Sequence, residues 1–344
     1  GTFTLLANGT FSAPSNLSKL DIKATDFDTT GTFIHNNGKV RFVGSGNHIT
    51  IKPNGRAFYN VDVDKDSGHD VKLREDMIIE NVLDLTGDND YFIIDANGAG
   101  GDVTLTMGTT SASGTIESNS ADRFRLDTHS SGKCIVQGAS NLFPCNVTSN
   151  DWKWDYGSGA AGTELANMNF QVDVITDTGE SNAAKITLTG DCEFDAVTVS
   201  SGDTLDLNGQ RAKLSGTLTG AGTVACGTDA LIETAGIINF DNSGTWSGNC
   251  NIFSTASANH YLKPASFAAH NVSNLFLNDG ANPQRWGENF VQNIIVGAGT
   301  QSFGDPPPTT GPIENMTIAT GATVNGADRT LTFDGDFTTS GGLI

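Results

Sequence analysis

The sequence predicts an all-β protein, a right-handed parallel β-solenoid (a stacked β rod) with irregular loop excursions. Three observations predict it. Apolar and polar residues alternate with a period of two over short segments, the pattern of a half-buried strand. Successive segments start ~8–12 residues apart and end in Gly, Asn, Asp or Ser, which supply turn geometry. Gly-Thr phrases recur ahead of strands, as at Gly31-Thr32-Phe33, Gly114-Thr115-Ile116, Gly216-Thr217-Leu218 and Gly244-Thr245-Trp246. The unit around them repeats loosely, as coils stacked on coils require.

Taken in order, 2–6 opens as strand. Lys39-Val40-Arg41-Phe42-Val43, Asn60-Val61-Asp62-Val63-Asp64, Asp70-Val71-Lys72-Leu73 and 102–107 continue a first solenoid stretch, 1–130. Residues 131–170 read as an irregular joint or loop excursion, holding Cys134, Pro144, Cys145 and the aromatic run 152–156. Helical periodicity is nearly absent, and its best segment, 160–168, is short and interrupted by Gly162. A second solenoid stretch, 171–344, carries 196–199, 204–207 and 330–333, with irregular turns at 282–287 and 304–312. The expected inward residues are Val40, Phe42, Val61, Val63, Val71, Leu73, Leu205, Leu207, Leu331 and Phe333. A coil should take roughly 20–25 residues. Neither end carries a polar capping segment, which a solenoid needs to close its stack. Both ends are therefore expected to be cut from a longer chain.

Composition narrows the function. With 17% charged and 37% hydrophobic residues, the chain is too poor in charge for an ordinary helical protein and too apolar for a disordered one. Nineteen Phe supply core material. A formal net charge of −20 without any Lys/Arg run argues against nucleic acid as a partner, since phosphate contacts need a basic stripe. No apolar stretch approaches ~18 residues, so membrane insertion is not expected.

Candidate chemistry is sparse. Asp62-Val63-Asp64-Lys65-Asp66-Ser67-Gly68 spaces oxygen ligands as calcium loops do. Ser67 and Leu73 stand where an EF-hand needs Gly and Glu, so the plainer reading is valines inward and aspartates to water. The six His residues show no metal spacing, no G-x-S-x-G occurs, and no carboxylate pair is singled out among 39 acids. No catalytic residue, metal or cofactor is therefore assigned. The five cysteines form no C-x-x-C pair. Cys134 and Cys145 could close a small loop, but buried free thiols are the reading we take. Trp152, Trp154 and Tyr156 alternate, so an extended segment would set all three on one side. They would stack on a glycan or, more plainly, cover a solenoid end or a subunit contact.

One stretch is specific enough to place. Gly31-Thr32-Phe33-Ile34-His35-Asn36-Asn37-Gly38-Lys39-Val40-Arg41-Phe42-Val43-Gly44 runs into Phe58-Tyr59-Asn60-Val61, then Val82-Leu83-Asp84-Leu85. Echoes follow at 194–199 with 205–209, and at 313–318 with 331–335. This resembles the degenerate repeats of repetitive β-solenoid surface proteins: tailed-phage virion structural and fibre proteins, and secreted bacterial adhesins. The resemblance implies the fold and brings no catalytic residues. From it we expect a non-enzymatic structural component on the outside of a phage virion, a fibre, spike or decoration protein serving assembly or host-surface contact. A secreted or cell-surface bacterial adhesin is the alternative, and a tailspike-type polysaccharide depolymerase the second. The expected partners are copies of itself, other virion or surface proteins, and a host-surface glycan. The expected location is the virion surface or the extracellular space.

Overall fold

A computed structural model describes residues 1–15, 18–44, 46–65, 69–86, 91–119, 124–128, 132–147, 152–153, 163–170, 174–176, 185–240, 243–256, 259–262, 264–266, 271–278, 282–286, 291–298, 300–302, 315–325, 335–339 and 342–343. The chain forms two compact units, Gly1–Cys192 and Glu193–Ile344, each a parallel β-solenoid.

In the first unit the chain passes through ladders of parallel strands. One ladder runs through Thr2–Leu5, Asp26–Thr29, Ile49–Lys52, Asp70–Leu73, Tyr91–Asp95 and Phe124–Asp127. In a second position Thr10–Ser12 pairs with Thr32–Ile34, and Val103–Met107 pairs with Cys134–Gly138, which pairs in turn with Thr163–Ala166. A third ladder runs from Lys19–Ile22 and Lys39–Gly44 to Thr115–Ser118 and Phe143–Val147. The long strands Ala57–Lys65 and Met77–Leu85 pair with each other on both sides of a register shift between Ile79 and Val82. In the second unit, Arg211 stands opposite Leu231 and Leu231 opposite Asn251, two steps of equal length.

Coil length is otherwise uneven. Lys19 faces Lys39 across a short coil, and Thr2 faces Asp26 across a slightly longer one. Phe92 faces Phe124 and Val103 faces Cys134 across much longer ones. The expected coil length therefore fails in this middle region. The surplus lies at the corners, which hold the one-turn helix Ala96–Ala99 and the turn at 108–114. Residues 131–170 differ from expectation as well. Their described part supplies Cys134–Gly138, Phe143–Val147, Thr163–Ala166 and Met168–Phe170 to the ladders instead of leaving them. The last two strands overlie the segment with the best helical periodicity. Thr163, Leu165 and Met168 all turn inward from extended backbone, so ladder pairing overrides the local preference.

Alternation did place the core. Val40, Phe42, Val61, Val63, Val71, Leu73, Leu205 and Leu207 are all buried. Leu331 and Phe333 lie outside the described residues. Stacking sets like over like: Phe3 lies on Phe27 at 5.0 Å, and Phe33 reaches Phe58 at 4.7 Å. Such ring pairs add ~0.5–1.5 kcal/mol beyond area burial. The Gly-Thr phrases mark corners where coils touch. A Cβ at Gly31 would collide with the carbonyl oxygens of Leu6 and Gly9, while the Gly31 N–H donates to Leu5 O at 2.8 Å. Gly236 rests on the Gly216 backbone in the same way.

Cys226 and Cys250 are disulfide-bonded, with Cα atoms 5.5 Å apart and a sequence separation of 24, which joins adjacent coils of the second unit. Closing such a loop is worth roughly 3 kcal/mol. Cys134, Cys145 and Cys192 are buried free thiols, as read from the sequence for the first two. Burial pushes the Cys134 and Cys192 thiols up to about 12.

Two outcomes check this packing. Phe58→Ala, at a fully buried ring, should cost ~3–5 kcal/mol in denaturant unfolding; a loss under ~1 kcal/mol would contradict the packed Phe column. Unfolded without reductant, the chain should take alkylating label at Cys134, Cys145 and Cys192 only, and at all five cysteines after reduction.

Candidate functional site

Outward positions stack as regularly as inward ones. On the third ladder Asp21 stands opposite Arg41, Arg41 opposite Asp62, Asp62 opposite Asp84, and Asp84 opposite Glu117. Arg41 donates to Asp21 at 2.8 and 3.0 Å and to Asp64 at 2.7 Å. The hydrogen bond from Arg41 holds the Asp21 carboxyl below its ordinary range. Lys39 Nζ lies 3.4 Å from Asp62 and 3.6 Å from Asp84. Burial pushes Asp62 up, against the pull of Lys39. The sequence segment with calcium-like spacing thus turns Val61 and Val63 inward and its acids 62 and 64 onto neighbouring cations. A calcium site converges six to eight oxygens on one point. Among the described residues no group of three His, Cys, Asp or Glu is arranged to hold a metal.

A groove of about 410 Å³ opens at one corner of the first unit, lined by Asn54, Arg74, Glu75, Asp76 and Asp102 among others. Arg74, Asp76 and Asp102 are tied into the stack. Arg74 Nε donates to Asp95 at 2.7 Å, and Asp95, 2% exposed, also accepts the Gly98 N–H that caps the short helix. Asp76 accepts the Thr104 N–H at 2.8 Å, and Asp102 accepts the Lys133 N–H at 2.9 Å. Each of these two acids precedes a strand and holds the strand above it.

The second unit uses amides in the same role. Asn274 donates to Asn251, Asn293 to Asn274 and Asn315 to Asn293, at 2.7, 3.1 and 2.9 Å. A side-chain amide both donates and accepts, so one residue type repeats without like-charge repulsion. Inside the same unit lies a Ser–His contact that sequence reasoning missed, because no motif marks Ser254 and His260. The Ile238 N–H donates to His260 Nδ1 at 3.1 Å, and His260 Nε2 lies 2.8 Å from Ser254 Oγ. With Nδ1 accepting, the neutral ring carries its proton on Nε2 and donates it to Ser254. A nucleophilic serine needs the reverse, a ring nitrogen free to accept its proton. Both residues are buried, so the pair is a core hydrogen bond.

Of the aromatic candidates, Trp152 begins the strand Trp152–Lys153, opposite Val174. Trp154 and Tyr156 lie outside the described residues. Compared with protein-family models, curated proteins and solved structures, the chain matches none.

Burial lowers the His260 pKa from 6.5 to about 4, so folding favours the neutral ring. The stability this contributes is complete above pH ~6.5 and is lost as pH falls toward 4, by about 3 kcal/mol in all. Unfolding midpoints measured across that window should fall less steeply in His260→Asn than in the unaltered chain. Equal slopes would remove His260 as the cause.

Proposed function

We propose that this chain is a non-enzymatic structural component on the outside of a phage virion, a fibre, spike or decoration protein serving assembly or host-surface contact. The observation that carries the reading is where the reactive side chains are directed. Arg41, Lys39, Asp76, Asp102 and the Asn251–Asn315 column all hold the next coil, and three thiols and the one Ser–His contact described are shut in the core. Groups committed to the stack serve shape and persistence better than turnover. An acidic surface keeps such a body soluble outside a cell. Its partners in this role are copies of itself, other virion or surface proteins, and a host glycan.

The groove bearing Glu75, Asp76 and Asp102 favours one other reading, a depolymerase that cuts polysaccharide with paired acids. Two measurements decide. Immunogold labelling with antibody to this chain should decorate phage particles; label confined to a bacterial envelope would replace the virion with an adhesin. Incubation with host capsule or lipopolysaccharide should release no reducing ends. Release that disappears in Asp76→Asn would make the chain an enzyme.

A further inference from the structure

Four successive strands of the second unit carry no charged side chain. Cys250–Ser254, Val272–Leu277, Val291–Val296 and Asn315–Ile318 pair in that order. The described segments around them, 249–256, 271–278, 291–298 and 315–325, contain neither an acid nor a base, on a chain of net charge −20. Phe253 stands opposite Phe276, Phe276 opposite Ile295, and Ile295 opposite Thr317. All four alternate with buried residues and so point outward; the two Phe and Ile295 are half-buried, and Thr317 is exposed. The Phe rings lie 6.2 Å apart. An apolar column thus runs beside the Asn251–Asn315 row, two positions along each strand. Asn274, Asn293 and Asn315 each spend one N–H on that row, and an amide has two. Ser273 falls at the register shift, and Gln292 holds the matching place on the next strand, which adds a hydroxyl and a further amide. Two acids border the surface. Glu233 stands opposite Phe253 and pairs with Arg211 at 2.6 Å, and the Asp336 N–H donates to Asn315 Oδ1 at 2.8 Å.

We infer that this surface binds a neutral, extended polysaccharide. A sugar ring presents apolar C–H faces and a rim of hydroxyls. The Phe253–Phe276–Ile295 column meets the first, and the amides two positions away meet the second. Strands ~4.8 Å apart repeat both columns at close to the length of one sugar in an extended chain. No cation stands among the described residues of these strands to pair with an anionic group, and Glu233 and Asp336 at the borders would repel one. Four strands cover about 14 Å along the stack, and a five-residue strand about 13 Å across it, roughly 200 Å² in all. A stable interface between proteins needs ~800 Å² from each partner, so the patch fits a short run of sugars better than a second copy. The inference gives the host-surface contact proposed above a site, and rests on that reading for its setting. Binding is read on the chain alone, so particle labelling without binding would remove the site and keep the virion, and binding without labelling would do the reverse.

The test is affinity electrophoresis of the full chain through gels containing hydroxyethylcellulose, galactomannan or carboxymethylcellulose, the last an anionic chain on the backbone of the first. The two neutral polymers should retard the chain, and carboxymethylcellulose should not. Phe276→Ala should weaken retardation about fivefold, the order expected from losing one aromatic contact, with circular dichroism unchanged. Gln292→Ala, which removes an amide outside the Asn row, should weaken it as well, and Lys72→Gln in the first unit should leave it as it was. Three results would each overturn the assignment: no retardation by either neutral polymer, equal retardation by carboxymethylcellulose, or retardation unchanged in both Phe276→Ala and Gln292→Ala. Self-association in sedimentation that Phe276→Ala abolishes would also overturn it, by giving the surface to a second copy.

Discussion

Parallel backbone pairing between successive coils is the interaction on which everything else in either unit depends. It sets residue over residue at ~4.8 Å, so each position along the chain has neighbours facing the same way above and below. Inside, that suits Phe over Phe and Val over Val. Outside, it disfavours runs of one charge, because like charges directly opposite are destabilising. The chain meets this constraint in two ways: cations that bridge acids of different coils, as Arg41 does for Asp21 and Asp64 and Lys39 for the directly opposed Asp62 and Asp84, and self-complementary amides, as in Asn251–Asn274–Asn293–Asn315.

The same constraint explains what could be read from the sequence. Which side of a strand faces inward follows from alternation, and Val61, Val63 and Leu205 needed nothing more. The recurring Gly-Thr phrase was legible as a period, and its cause is a carbonyl from the preceding coil standing where a Cβ would go at Gly31. Strands at 163–166 and 168–170 were not legible, because there the pairing partner, and not the local pattern, decides the backbone. The Cys226–Cys250 bond and the Ser254–His260 contact were hidden for a related reason. Both depend on which residues the coil length brings together, and coil length varies. Nor could the pairing state of a given charge be foreseen. Lys39 and Lys72 both alternate with apolar residues, yet only Lys39 reaches acids, Asp62 on the next coil and Asp84 on the one beyond.

A stack of this kind leaves little room for accidental chemistry. Thiols are held protonated by burial, the buried histidine is held neutral, and Asp76 and Asp102 at the corner groove are fixed by backbone N–H groups. Rigidity and reactivity are set against each other here. A carboxylate that clamps the coil above it is not free to follow a reacting atom.

The uneven coils have an evolutionary consequence. Phe92 and Phe124 keep their pairing although far more chain separates them than separates Lys19 from Lys39. Extra chain leaves at a corner and returns without disturbing the rungs on either side. Sequence can therefore be gained or lost at these bends, a short insert or a whole coil at a time, while the strands that flank them stay fixed. The lineage of such a protein should diversify by insertion at corners faster than by substitution along the rungs, and a foreign peptide placed at 108–114 should be carried as a tenant of the scaffold.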